Sequence, residues 1–257
     1  MESVEIFGVR IDNVTLEQAV CRALRGAKEP CWVVTPNAII LDACRRNDAH
    51  RRMLSGADLS VADGSGVVLL AKRQGTPLCE RVAGIDLAEG LLARASQDGL
   101  RVFLLGGAPG VAEAASERLQ RRFPGLCVCG LYHGYFGDSD EDGQCVLAQI
   151  GASHPDLLFV CMGFPRQEEW IAAHRASLIG VRVVVGLGGS LDVWAGRVRR
   201  APRLLSRVGL EWAWRMMLEP KRLRGLPALL RVAFYMPKSG NADDKDWRTS
   251  NVKKQKR

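Results

Sequence analysis

Short β-branched runs and longer helical stretches alternate along the first 195 or so residues. Trp32-Val33-Val34 runs into Thr35-Pro36-Asn37, and an apolar-periodic stretch follows through Ala43. Val102 to Leu105 is an apolar run that breaks at Gly106-Gly107, and a helical pattern then extends from about Val111 to Arg122. Leu157 to Cys161 breaks at Gly163, and Val181 to Val185 breaks at Gly186, Gly188 and Gly189. Strand, glycine turn and helix, repeated in this order, predict a parallel α/β sheet covered by helices on both faces. Ligands bind beyond the carboxyl ends of the strands in such sheets, and this sequence concentrates its unusual residues there.

The pattern changes near residue 197. After Pro202, the residues Leu204, Leu205, Val208, Leu210, Trp212, Met216 and Met217 form an apolar face broken by Arg203, Arg207 and Arg215, and Pro220 ends that helix. A second element carries Lys221, Arg222 and Arg224, then Leu226, Leu229, Leu230, Val232, Phe234 and Tyr235. Residues 238–257 have no periodicity and few apolar side chains, and read as a disordered basic tail. The expected organisation is a Rossmann-like α/β body over 1–196, a helical basic appendage over 197–237, and that tail.

Charge follows the same division. The formal net charge is +8, yet residues 1–196 hold 19 Lys and Arg against 23 Asp and Glu, while residues 197–257 hold 17 against 5. The appendage is thus expected to meet an anionic polymer or surface while the body does something else. Basic residues beside Trp, Phe and Leu suit helices lying on an anionic bilayer surface. The plainer alternative is a helix pair that closes the core with solvated arginines, and one face can pack while the other binds lipid. RNA binding is the rival for the tail, but no RNA-binding signature accompanies the charges.

Composition excludes several classes. With 257 residues, 47% hydrophobic and 25% charged, the chain can bury a full core without staples. No apolar run is long enough to span a bilayer, and Glu2 and Glu5 stand where a signal peptide would be basic and then apolar. A cytoplasmic protein is expected. Eight cysteines without a CxxC, mostly in apolar stretches, suggest reduced core thiols. Cys127, Cys129 and His133 could be drawn as a zinc site, but only four histidines in the chain argue against it.

Candidate chemistry sits at the strand ends. Thr35-Pro36-Asn37 fits a helix cap, with Thr35 as the capping hydroxyl, or a ligand contact. Asp63, in Ala62-Asp63-Gly64-Ser65-Gly66, is either a turn residue or a carboxylate facing a ligand that the glycines let approach. Gly106-Gly107-Ala108-Pro109-Gly110 resembles an anion-binding strand-to-helix turn, without the GxGxxG of a dinucleotide site or the lysine of a P-loop. A dinucleotide-dependent oxidoreductase is therefore disfavoured. Asp138 and Asp140 form a DxD pair of the kind that holds a divalent cation, yet they continue into acidic residues that suit a first helical turn. Arg166, Gln167 and Glu168 arrive together at a helix start and are placed to hydrogen-bond a polar ligand such as a sugar.

Eight blocks, in order, carry a resemblance: TPNA (35–38), ADGSG (62–66), ERVAGID (80–86), LLGG (104–107), HGYF (133–136), GFPRQEEW (163–170), GGSLDVWAGRVRRAP (188–202) and GLEWAWRMMLEPKR (209–222). Together they resemble the WecG/TagA/CpsF family, glycosyltransferase family 26. One departure is Ile39, where the family pattern continues with Glu. The resemblance implies an inverting transfer without a metal or other cofactor. A sugar (N-acetylmannosamine, its uronic acid or glucose) would move from a UDP-sugar to a polyprenyl-diphosphate-linked saccharide in surface polysaccharide synthesis, with the protein peripheral on the inner face of the plasma membrane. It implies Asp63 as catalytic base, with Thr35 and Asn37 beside the donor sugar. The donor would also meet Arg81, Gly106, Gly107, Tyr135, Gln167, Glu168, Gly188 and Asp192. Arginine's planar fork suits phosphate oxygens, so Arg215, Arg222 and Arg224 are expected to clamp the acceptor diphosphate beside the anionic membrane. Nucleic acid is not an expected partner. An RNA- or partner-binding adaptor on an inactive α/β domain is the alternative function.

Overall fold

A computed structural model describes residues 2–25, 29–137, 140–202, 211–218, 223 and 225–235. It opens with a hairpin, β1 (Ser3–Ile6) and β2 (Val9–Asp12), paired antiparallel with Ile6 opposite Val9. The turn residues Phe7 and Gly8 both have positive φ, the backbone that a tight two-residue hairpin turn needs. Helix α1 (Leu16–Ala23) follows, started by a capping box between Thr15 and Gln18.

The body is one six-stranded sheet. Its strands are β3 (Cys31–Val34), β4 (Leu59–Ser60), β5 (Arg101–Gly106), β6 (Cys127–Tyr132), β7 (Leu157–Cys161) and β8 (Val183–Gly186), in the spatial order β4-β3-β8-β7-β5-β6. Every pairing is parallel. This is the Rossmann-like α/β arrangement expected from the alternating pattern. The connecting helices are α2 (Ala38–Arg46), α3 (Asp48–Ser55), α4 (Ser65–Arg73), α5 (Gly84–Asp98), α6 (Val111–Arg122), α7 (Asp140–Ser153), α8 (Arg166–His174) and α9 (Ser190–Trp194).

Strand alternation sorts the core into two layers. Val33, Val102, Leu104, Leu157, Phe159, Val183 and Val185 pack under α1, α5, α6 and α9. Trp32, Val34, Phe103, Leu105, Leu158, Val160 and Val184 pack under the hairpin and α2, α3, α4, α7 and α8. Phe103, Phe159, Leu104 and Leu105 are fully enclosed, and each such side chain contributes roughly 1.5–3 kcal/mol by leaving water.

Two further helices, α10 (Glu211–Leu218) and α11 (Leu226–Ala233), belong to the appendage. Helix α11 lies on the second layer, against α2 and α4. Arg231 forks onto the buried carboxylate of Asp42, with Nη2 2.7 Å and Nε 3.1 and 3.2 Å from its oxygens. Burial alone would raise the Asp42 pKa, but hydrogen bonds from Arg231 and the charges of Arg231, Arg46 and Arg45 outweigh it and hold the carboxyl below its usual value. Val232 is buried, Arg45 stacks on the Phe7 and Tyr235 rings, and Ile39 Cδ1 lies 2.7 Å from where a Cβ on Gly225 would stand. The departure at Ile39 thus gives the appendage an apolar seat. Arg231→Ala should raise amide exchange across 226–233 while the sheet stays protected, as measured by hydrogen–deuterium exchange; unchanged protection there would deny the ion pair its anchoring role.

The cysteines depart from expectation. Cys44 and Cys161 are buried, but Cys21, Cys79, Cys127 and Cys145 are exposed, because they fall on the outer sides of helices, loops and the β6 edge rather than in the core. Asp138, Arg222, Arg224 and the 238–257 tail lie outside the described residues, as do the side chains of Asp140 and Arg215.

Candidate active site

The exits of β3 and β4 lie side by side, since Val34 pairs with Ser60 in parallel register. The chain beyond them stays joined: Val61 N–H donates to the Val34 carbonyl at 3.0 Å and Asp63 N–H to the Pro36 carbonyl at 3.1 Å. This brings Thr35, Asn37 and Asp63 to one place. Asn37, not Thr35, caps α2, its Oδ1 accepting from the N–H groups of Ile39 and Ile40 at 3.0 and 3.2 Å. Thr35 is turned the other way, and its hydroxyl donates to the Gly186 carbonyl of β8 at 3.0 Å.

Asp63 stands half-buried before Gly64, whose φ of 96° is open to glycine at little cost. Its Oδ1 accepts from the Gly84 N–H at 3.3 Å. Gly84 is the first residue of α5, so this donor is one of the N–H groups that a helix leaves unpaired at its start. A Cβ on Gly84 would stand only 3.1–3.2 Å from the Thr35 side chain, so glycine sets the close fit of α5 against β3. Gly84 lies inside the ERVAGID block, where nothing in its neighbours marks it as a close-contact glycine. Half-buried Arg81 is in the segment leading into it.

Gln167 and Glu168 behave differently from an exposed polar trio. They are only 3% and 2% exposed. Gln167 Oε1 accepts from the Gly163 and Gly188 N–H groups at 3.1 and 2.9 Å, and its Nε2 donates to Glu168 Oε1 at 2.7 Å. The pair holds the chain's own groups and lies between the β7 and β8 exits. Burial pushes the Glu168 carboxyl up to about 7, against the lowering effect of the Gln167 hydrogen bond. The bare Gly186 lets both side chains come this close, since a Cβ there would lie 2.6 Å from Gln167 Nε2.

On the far side of β7, the Gly106-Gly107 turn follows β5. Gly107 N–H donates to the Cys161 carbonyl at 3.2 Å, and its own carbonyl accepts from Gly134 N–H at 2.8 Å. The Gly107 amide is thus engaged within the protein. Arg166 ties the next turn down, donating to the Gly134 carbonyl at 2.9 Å and to the Phe136 carbonyl. Tyr135, between them, is 73% exposed. Asp192 stands in the first turn of α9.

Among the described residues, the N-cap residues of α4, α5, α6, α8 and α9 make no side-chain cap bond, and at α5 Asp63 takes the first N–H instead. The dipole ends of these helices make the strand exits electropositive without a lysine. The appendage is fastened at the same end, Arg200 pairing with Asp86 in the first turn of α5 and Val232 reaching toward Gly66 of α4. A separate cleft of about 640 Å³, lined by Glu89, Arg118, Arg121, Arg122, Trp194 and Arg200, lies between α5, α6 and α9. Its carboxylate is already held by Arg122 and Trp194. Among the described residues, no three His, Cys, Asp or Glu side chains are grouped to hold a metal ion.

An N-acetylglucosaminyldiphosphoundecaprenol N-acetyl-beta-D-mannosaminyltransferase from Bacillus spizizenii is 39% identical over 226 residues, covering 88% of this chain and 86% of that protein. Proteins of the same name from Staphylococcus aureus are 36% identical over 230 residues, covering 88% and 89%. The model of the glycosyl transferase WecG/TagA/CpsF family matches residues 4–240. The chain therefore belongs to the WecG/TagA/CpsF family of glycosyltransferases.

Proposed function

We propose that the protein moves an N-acetylmannosamine residue from UDP to N-acetylglucosamine carried on a polyprenyl diphosphate, inverting the anomeric centre. The observation that carries this reading is the placement of Asp63, a half-buried carboxylate anchored by Gly84 N–H where the β3 and β4 exits meet. The relatives' names supply the sugar and the acceptor class. An RNA-binding adaptor finds no support among them.

In the proposed step the Asp63 carboxylate removes the proton of the acceptor hydroxyl as that oxygen attacks the anomeric carbon. The bond from this carbon to the UDP oxygen breaks, and UDP leaves with the electron pair. Negative charge grows on the departing diphosphate, where preorganised donors are most effective. The dipole ends at the starts of α6, α8 and α9, together with Arg81, are assigned to that charge. Thr35, held by Gly186, and Asn37, held by its cap, flank the sugar. This set performs the task of a divalent cation, so EDTA should leave turnover unchanged; loss with EDTA and recovery with Mn²⁺ would bring Asp138 and Asp140 back into the site.

The acceptor's lipid stays in the membrane, on the inner face in this reading. No helix among the described residues is long and apolar enough to cross a bilayer. Instead Met217, Leu223, Leu230 and Phe234 are exposed on the appendage, 48–79% open, and Ile39 and Leu69 are exposed beside it. We assign this apolar rim to the bilayer surface and the arginines Arg215, Arg222 and Arg224 to the acceptor diphosphate. The test is UDP release from UDP-N-acetylmannosamine with and without a lipid-linked N-acetylglucosamine acceptor. Acceptor-dependent release with a product of matching mass supports the reading, and no release with this pair refutes it.

A further inference from the structure

Glu168 has a feature that ordinary packing does not require. Its Oε1 takes the hydrogen bond from Gln167, but Oε2 is enclosed with no hydrogen-bond partner among the described residues. Buried polar groups are nearly always satisfied, and the exceptions gather at functional sites. An alanine or leucine here would avoid the unsatisfied oxygen, so the carboxyl must serve through the oxygen that is used.

That oxygen decides how the neighbouring amide stands. A glutamine amide has a donor end and an acceptor end of the same shape, so a half-turn about its last bond exchanges them. Gln167 has to present oxygen to two donors at once, the N–H groups of Gly163 and Gly188. In the flipped state it would aim NH₂ at both of those N–H groups, and its oxygen would face the Glu168 oxygen. Only an acceptor at the position of Glu168 Oε1 makes one orientation satisfy all three contacts. Gly163 follows β7 and leads into Arg166, which holds the Gly134 and Phe136 carbonyls. Gly188 follows β8, whose Gly186 carbonyl holds Thr35. The amide thus joins the two turns that frame the middle of the site.

We infer that Glu168 is a positioning residue for sugar transfer, fixing the orientation of the Gln167 amide so that its oxygen clamps the Gly163 and Gly188 turns into one wall of the donor site. This rests on the proposed function for its kinetic consequence, while the clamp itself can be seen without any activity.

The variants are Glu168→Gln, which can keep an acceptor oxygen facing Gln167, and Glu168→Ala, which cannot. In protein labelled with ¹⁵N-glutamine, the Gln167 side-chain amide is identified by its loss in Gln167→Met. It should exchange slowly with solvent in wild type and Glu168→Gln, and at least tenfold faster in Glu168→Ala. In the transfer assay, Glu168→Ala should raise the donor KM about tenfold with a smaller change in kcat, and Glu168→Gln should restore most of it. Unchanged amide exchange in a folded Glu168→Ala protein overturns the clamp. Equal damage in Glu168→Gln and Glu168→Ala overturns it too, by showing that the acid itself is needed. If wild type transfers nothing from this donor, the functional reading fails, and the exchange measurement still decides the clamp.

Discussion

Asp63→Asn is expected to slow sugar transfer about 10²–10⁴-fold, the usual worth of a positioned general base. That loss corresponds to about 3–5 kcal/mol in the barrier. The substitution isolates the proton because the amide copies the carboxylate's shape. Its Oδ1 can still accept from Gly84 N–H, now at 3.3 Å, so the start of α5 and its contact with Thr35 should persist. UDP binding and the melting temperature should therefore stay near wild type while kcat falls. A folded Asp63→Asn protein with normal turnover would remove this residue from the reaction.

Glu168→Gln is expected to change the pH dependence of stability by about 2–3 kcal/mol between pH 5 and pH 8. The sign follows from the direction of the shift. Burial raises the carboxyl to about 7 in the folded protein, so the native state keeps a proton that the unfolded chain releases above the usual glutamate range. Stability from this group is full at low pH, is lost as pH climbs toward the folded value, and changes no further above it. The Gln variant has no proton to lose. Urea unfolding of both proteins at pH 5 and pH 8 should show the variant gaining on wild type at the higher pH. Parallel behaviour across that range would place Glu168 as an ordinary ionised carboxylate. Cys44 and Glu169 are the nearest titratable neighbours by their electrostatic effects, and both are unchanged in the comparison.

The sheet was readable because buried parallel strands announce themselves as uninterrupted apolar runs, as Val102–Leu105 and Leu157–Cys161 do. β6 escaped notice for the opposite reason: at the sheet's edge its residues are half-buried or exposed, so Cys127-Val-Cys-Gly130 carries no such run. The hairpin did leave a trace, Val4 and Ile6 alternating with Glu5 and mirrored by Val9 and Ile11, around a turn that needs Gly8. The meeting of Thr35, Asn37 and Asp63 could be anticipated from their shared position after strands. Which of Thr35 and Asn37 caps the helix could not, because both have a suitable oxygen and only the nearness of Gly186 settles it. Gln167 and Glu168 were the hardest to place. Beside Arg166 and Glu169 they look like helix surface, and their burial depends on a glycine some twenty positions later in the chain.

The appendage is fastened on both sides of the joined β3 and β4 exits, through Arg200 and Asp86 at one and through Gly225, Ile39, Arg231 and Asp42 at the other. This arrangement makes ligand affinity and local order two readings of one equilibrium. An occupant touching both sides gains contacts only when both fastenings are closed, so its binding free energy also protects them against opening. The reciprocal relation holds with equal force. Whatever weakens either fastening lowers the affinity of a bridging occupant by the same factor by which that occupant steadies the fastening, without any change in the residues it touches.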